Sequence, residues 1–372
     1  MAFTSNLGTL LNALNGLNEA EKFTLANGIF LSKFGDVNVK EIHPTLGEVR
    51  KGNKIPILND DGNFGGFPTF DGCALPSCNI SSVFSEYQWC LHEIGCEVTV
   101  CMKDLEPKFQ AFWNTYRKMN EGDIEDAFVQ FIITIFQSSH LKGELRHAYF
   151  GDTSAEIVIP EEAPIPDKLF SGCDGFVTQM AAKATSNPDL KVAISQNSEP
   201  TVALQTISDG SVIYAYLNAM YLKAVAKPWF NATNAHFELS RENANVLVGW
   251  LNTLADKSGV NCECILPNNV VSARQFTTKG LRIFGLEVKV LDFEGMMKAG
   301  GNSSWYYNGT KFTYYKNIII LAENTNMLVG YENSESLSSF NVGYDERKRE
   351  IFIQGSSLFG AGVPTENFVI AC

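Results

Sequence analysis

Nine cysteines and five histidines are the residues of this sequence with the most chemistry to offer. Cys73, Cys78, Cys90, Cys96 and Cys101 lie close together along the chain. Structural zinc is held by Cys-x(2–4)-Cys knuckles, usually two of them. Only Cys73 and Cys78 approach that spacing, so the cluster reads as thiols and no metal is expected. Cys262 and Cys264 fall in an alternating apolar run and face one side of a strand, where they pack. His43, His92, His140, His147 and His236 form no spaced pair. A Cys–His hydrolase, for example Cys173 with His236, is the sharp reading of these residues. The bland one, a small buried thiol and an exposed imidazole, is favoured because no nucleophile motif surrounds them. Asn59, Asp60 and Asp61 lack the loop pattern that would hold calcium. Gly62–Gly66 follows two acids, the wrong charge for cradling phosphate. GxGxxG, P-loop, HExxH and GxSxG motifs are all missing. The residues therefore point to a non-enzyme with no cofactor and no metal.

The chain around them has 372 residues, enough for two or three structural units. Apolar residues make up 45% and aromatic residues 12%, with 26 Phe, which excludes disorder. The balance of 41 acids against 29 bases gives a net charge of −12, the wrong sign for a nucleic-acid reader. Charged residues reach only 19%. A surface so poor in charge is typical of subunits that bury much of themselves against neighbours. The most apolar long stretch, Val212–Ala226, is interrupted by Asn218 and Lys223 and is too short to span a membrane. Phe3, Leu7, Leu10, Leu11, Leu14 and Leu17 recur at helical spacing ahead of the first basic residue, Lys22. That is an amphipathic helix and not a signal peptide. With no export signal, all nine cysteines are expected as thiols in a reducing compartment.

Periodicity then places the elements. Glu48–Leu58 and Ile80–Met102 are strand-like, with Tyr87, Trp89 and Leu91 alternating with polar residues. Between them Asn59–Asn79 is rich in Gly, Pro and Phe and has no helical period. The whole reads as a long two-stranded excursion with an irregular tip. Such a ribbon is not stable alone in water and must lie on something, and a neighbouring subunit is a natural support. Phe64, Phe67, Phe70, Tyr87 and Trp89 are the subunit-interface candidates. Asp104 caps a helix, and a longer one follows at 123–142, with Phe128, Phe131, Ile132, Ile135 and Phe136 along one face. Further helices are expected at 167–184, 209–226 and 241–257, the last with Ser240 as its N-cap. Strands are expected at 190–195, 233–238, 261–266, 281–291, 316–322, 338–344, 349–354 and 367–371. The charged run Asp345–Glu350 reads as a solvated hairpin turn, with an inter-subunit charge contact as the alternative.

This order of parts resembles the major capsid proteins of tailed bacteriophages, the Hong Kong 97 fold. Short phrases carry the likeness: Lys316-Asn317-Ile318-Ile319-Ile320-Leu321, Leu328-Val329-Gly330-Tyr331-Glu332, Gly285–Phe293 and the closing run Gly360–Cys372. The resemblance implies an α+β fold with an N-terminal arm (1–46) and an extended β-loop (47–103). A peripheral domain (104–165 with 330–372) would carry the long spine helix, beside an axial α/β domain (166–329). It implies a structural subunit that forms hexamers and pentamers of an icosahedral shell around double-stranded DNA. That shell would be assembled in the host bacterial cytoplasm, with no sequence-specific contact to the DNA and no membrane. Portal, scaffolding and decoration proteins are the implied partners besides the chain itself. A bacterial nanocompartment shell of the same fold and a cytoplasmic thiol-dependent enzyme are the alternatives.

Overall fold

The computed structural model describes residues 39–59, 83–101, 131, 139–157, 165–258, 277–298, 305–332, 339–345, 347–348 and 350–372. The fold is α+β. Its centre is a six-stranded mixed sheet in the order Lys191–Val192, Phe368–Ala371, Ile319–Glu323, Ala235–Ser240, Leu286–Leu291, Arg282–Ile283. Residues alternate faces along a strand, and this sheet uses both. Phe237, Leu239, Ile319, Leu321, Val369 and Ala371 join one core, beneath helices Gly210–Val225 and Arg241–Ser258. Ile318, Ile320, Ala322, Phe368 and Ile370 join the other. Asp209 caps the first of these helices, accepting the Ser211 N–H at 2.8 Å. Ser240 caps the second as the sequence predicts, accepting the Asn243 N–H at 3.2 Å.

The second core is shared with a five-stranded sheet built around the long strand Glu350–Gly362. Antiparallel to it run Ser339–Asp345, Leu328–Tyr331 and His92–Cys101, and Thr45–Leu46 adds parallel to Leu328–Tyr331. Asp345 pairs with Glu350 across the hairpin. Its carboxylate accepts the N–H groups of Arg347 and Lys348, both exposed on the single subunit, so the run closes a hairpin as expected. A helix over residues 139–150 continues eight residues beyond the predicted end at 142. Glu144 ties it to this sheet, accepting from Tyr331 Oη at 3.2 Å and Ser357 Oγ at 3.4 Å. Phe131 shares the core of Val342, Ile351 and Ile353. Its expected companions Phe128, Ile132, Ile135 and Phe136 lie outside the described residues, as does the strand expected at 261–266.

Further boundaries differ from the pattern-based expectation. The strand expected at 281–291 is a hairpin of Arg282–Ile283 and Leu286–Leu291, turned at Phe284 and Gly285, whose φ angles are both positive. The strand expected at 190–195 is limited to Lys191–Val192 between two 3-10 turns. Helix Phe176–Ser186 starts nine residues after the predicted 167, because residues 167–175 are a turn held by the Asp167 carboxylate. That carboxylate accepts from the Leu169 and Trp305 N–H groups. The strand expected at 349–354 runs on to Gly362. Ile80–Met102 is not one ribbon strand. Val83–Gln88 pairs with Lys54–Asn59, whereas His92–Cys101 leaves the ribbon and pairs with Glu350–Phe359. Alternation is identical in both halves, so only the change of partner reveals the break.

Candidate functional site

Among the described residues, Lys54–Asn59 and Val83–Gln88 form a separate two-stranded sheet, each strand pairing with no strand but the other. Its base is fixed by aromatic side chains that turn inward. Trp89 is 2% exposed and packs with Val49 and Leu91. Its ring lies against Gly330 and Gly362, where a Cβ would stand 3.0 and 3.1 Å away. Tyr87 meets Trp89 edge-on at 5.6 Å and donates from Oη to Gln179 Oε1 at 3.0 Å. The Gln179 amide in turn donates to Ala361 O at 2.9 Å and accepts from Val363 N at 3.0 Å. Sequence spacing offered Tyr87 and Trp89 as contacts to a neighbour, but here they root the ribbon in its own subunit. The physical reason is the gap left by glycines on two adjacent strands, which only a flat ring fills. Phe64, Phe67 and Phe70 lie outside the described residues.

The chain passes residue 90 just as tightly. A Cβ on Gly360 would stand 2.1 Å from the Cys90 carbonyl oxygen. Gly360→Ala forces backbone apart and should cost about 1–3 kcal/mol. Thermal melting of the variant should show the loss, and an unchanged melting temperature would refute the close approach.

Cys90 is disulfide-bonded to Cys173, which corrects the expectation of nine free thiols. Among the described residues Cys101 is a free, exposed thiol and Cys372 a free, buried one. The pairing also removes Cys173 as a nucleophile in this form. Its supposed partner His236 is 1% exposed, not on the surface, and its hydrogen bond goes to Glu238.

That histidine belongs to a buried polar cluster. Strand alternation puts His236 and Glu238 on one face of the central sheet, opposite Phe237 and Leu239. Parallel register sets Lys289 beside Glu238. His236 Nε2 lies 2.9 Å from Glu238 Oε1. His43, from the segment entering the sheet system, places Nε2 2.7 Å from Tyr149 Oη and 3.6 Å from Glu238 Oε1. Lys289 Nζ donates to Ile42 O at 2.9 Å. Burial opposes the Glu238 charge, but His43, His236 and Lys289 outweigh it and hold the carboxyl below its ordinary range. Burial pushes His43 down to about 4, so it is neutral at pH 7. The cluster is closed to solvent: His43, His236 and Glu238 are each at most 3% exposed. It anchors residues 39–43 to the sheet and admits no substrate.

A polar cleft of about 450 Å³ opens between strand His92–Cys101 and helix 139–150. Glu93, Glu97, Lys142, Arg146 and Lys168 are among the residues that line it. His92 Nε2 and His147 Nδ1 are 3.2 Å apart at its floor. Burial pushes His92 down to about 4, and burial with the nearby His92 and Arg146 pushes His147 down to about 3. Both imidazoles are therefore neutral at pH 7. Among the described residues no cluster of His, Cys, Asp and Glu suits a metal ion, and no helix is long and apolar enough to cross a membrane.

No family model matches this chain, and no curated protein does. Solved structures do. A chain of the satellite phage P4 procapsid, which includes the size determination (Sid) protein, is similar over 94% of this chain and 97% of that one. Its identity is 10% and its TM-score 0.48. A chain from Gordonia phage Cozz is similar over 91% and 88%, with 9% identity and a TM-score of 0.46. A capsid chain of an empty GTA particle is similar over 95% and 98%, with 13% identity and a TM-score of 0.44.

Proposed function

We propose that this chain is the subunit of a closed protein shell, a phage-type capsid, built from hexamers and pentamers of itself and enclosing DNA. The observation that carries the reading is the ribbon of Lys54–Asn59 and Val83–Gln88, rooted by Trp89 and Tyr87 and paired with no other strand among the described residues. A two-stranded ribbon needs a surface to lie on, and the Phe-rich stretch it carries, with Phe64, Phe67 and Phe70, would be an unusual patch to leave in water. Helix Gly210–Val225 adds an outward apolar face, with Leu222 60% and Val225 50% exposed. The net charge of −12 suits a wall that must not adsorb the polyanion inside it. The arm, extended loop, peripheral and axial divisions are proposed with the boundaries given from the sequence, with three adjustments: His92–Cys101 and Leu328–Tyr331 are strands of the sheet around Glu350–Gly362, and Phe368–Ala371 is a strand of the six-stranded sheet. Portal, scaffolding and decoration proteins are the proposed partners, and the virion is the proposed location.

The test is assembly of the Phe64→Ala, Phe67→Ala, Phe70→Ala triple variant. Each Phe contributes about 1.5–3 kcal/mol by area when buried at a contact. Wild type should form capsomers or shells by electron microscopy. The variant should stay folded by circular dichroism yet assemble at least tenfold less, the factor equivalent to ~1.4 kcal/mol. Equal assembly of the two would remove the tip from the interface. A wild type that stays a monomer at high concentration would overturn the shell reading.

A further inference from the structure

The two halves of the Cys90–Cys173 disulfide stand on different supports. Cys173 is 3% exposed and belongs to a turn seated on the C-terminal end of helix 139–150. Gly151 N donates to His147 O at 3.1 Å, and Gly175 N donates to Gly151 O at 2.8 Å. A Cβ on Gly151 would stand 2.2 Å from the Cys173 carbonyl oxygen, so the turn cannot shift without unseating the helix. Cys90 is exposed. It lies between the ribbon strand Val83–Gln88 and the sheet strand His92–Cys101, in neither of them. The bond joins these supports across 83 residues of sequence, with Cα atoms 5.7 Å apart. The remaining attachments of the ribbon base that the geometry shows, through Tyr87, Trp89 and Leu91, are non-covalent.

We propose that Cys90 and Cys173 form a redox latch that fixes the base of the ribbon to the subunit core. With both thiols reduced, the ribbon opens locally about residues 89–91. With the disulfide formed, that opening is blocked. The exposed member reacts first. The Cys90 thiolate attacks a sulfur of a small-molecule disulfide such as glutathione disulfide and releases one thiol. Cys173 loses its proton to solvent, and its thiolate displaces the second thiol from the mixed disulfide. Two protein thiols are thereby oxidised to one disulfide, and the small disulfide is reduced to two thiols. A reducing cytoplasm would hold the latch open during assembly, and oxidising surroundings would close it after release. This setting rests on the shell reading. The latch itself does not.

The test uses the purified full-length chain, treated with dithiothreitol or with glutathione disulfide and then briefly with trypsin. Arg50, Lys51 and Lys54 are exposed cleavage sites at the ribbon base. Oxidation should yield a peptide pair joined through Cys90 and Cys173 by mass spectrometry. It should also slow cleavage at Arg50–Lys54 by at least about threefold, as expected when a local opening is suppressed. Cys90→Ser should abolish both effects, while wild type with and without oxidant compares one sequence with itself. Failure to join these two cysteines overturns the latch. So does a joined pair with unchanged cleavage, or slowing that persists in Cys90→Ser. Electron microscopy of the same samples reads assembly separately, so a protein that latches without forming shells supports the latch and overturns only its setting.

Discussion

Urea unfolding of this protein should shift to markedly lower concentration as the pH falls from 6.5 toward 4. Three buried histidines are responsible. Burial pushes His43 and His92 each down to about 4, and His147 down to about 3. In the unfolded chain all three take up protons near pH 6.5. Between those values the unfolded state binds protons that the folded state does not. Stability is therefore fully present above pH 6.5 and lost as the pH drops toward the folded values. For His43 alone the difference is worth about 3 kcal/mol, a large share of the ~5–15 kcal/mol that holds a typical domain. Glu238, Lys289, His236 and Tyr149 surround His43, and the Glu238 carboxylate resists its neutral state without overcoming burial. Glu238 acts in the same direction at lower pH, since its carboxyl is held below the ordinary range. A His43→Gln variant should start less stable at pH 7.5 but lose less on acidification. A wild-type midpoint that stays constant from pH 7.5 to 4.5 would sink this account.

Phe131→Ala should fail at the level of the fold, not of assembly. Phe131 is 7% exposed and shares its core with Val342, Ile351 and Ile353, more than 200 residues further along the chain. Truncating a well-buried Phe costs about 3–5 kcal/mol, because the cavity closes only in part. The variant should be largely insoluble, in contrast to the triple Phe variant of the ribbon tip. Phe131→Leu keeps most of the volume and should recover soluble protein. If Phe131→Ala melts within a degree or two of wild type, the contact between the spine segment and the C-terminal hairpin is not a core contact.

What is local is legible in the order of residues. Apolar spacing placed helices at 209–226 and 241–257, found at Gly210–Val225 and Arg241–Ser258, with the Ser240 cap in place. Charge and turn chemistry located the hairpin at Asp345–Glu350. A helix stripe, a cap and a turn are written within a few consecutive residues, so they can be read without knowing their partners. Tertiary structure alone decided partnership. Tyr87, Trp89 and Leu91 alternate in the same way whether the strand pairs with a ribbon mate or a sheet, and only the fold sends His92–Cys101 to Glu350–Phe359. Cysteine spacing carries no connectivity, and the Cys90–Cys173 bond exists because a turn seated by Gly151 and Gly175 is brought to the ribbon base. His236 looked like a surface imidazole until parallel register set Lys289 beside Glu238, and the incoming chain delivered His43 to the same face. Burial and charge pairing belong to three-dimensional neighbours, and a lone histidine in a strand names none of them.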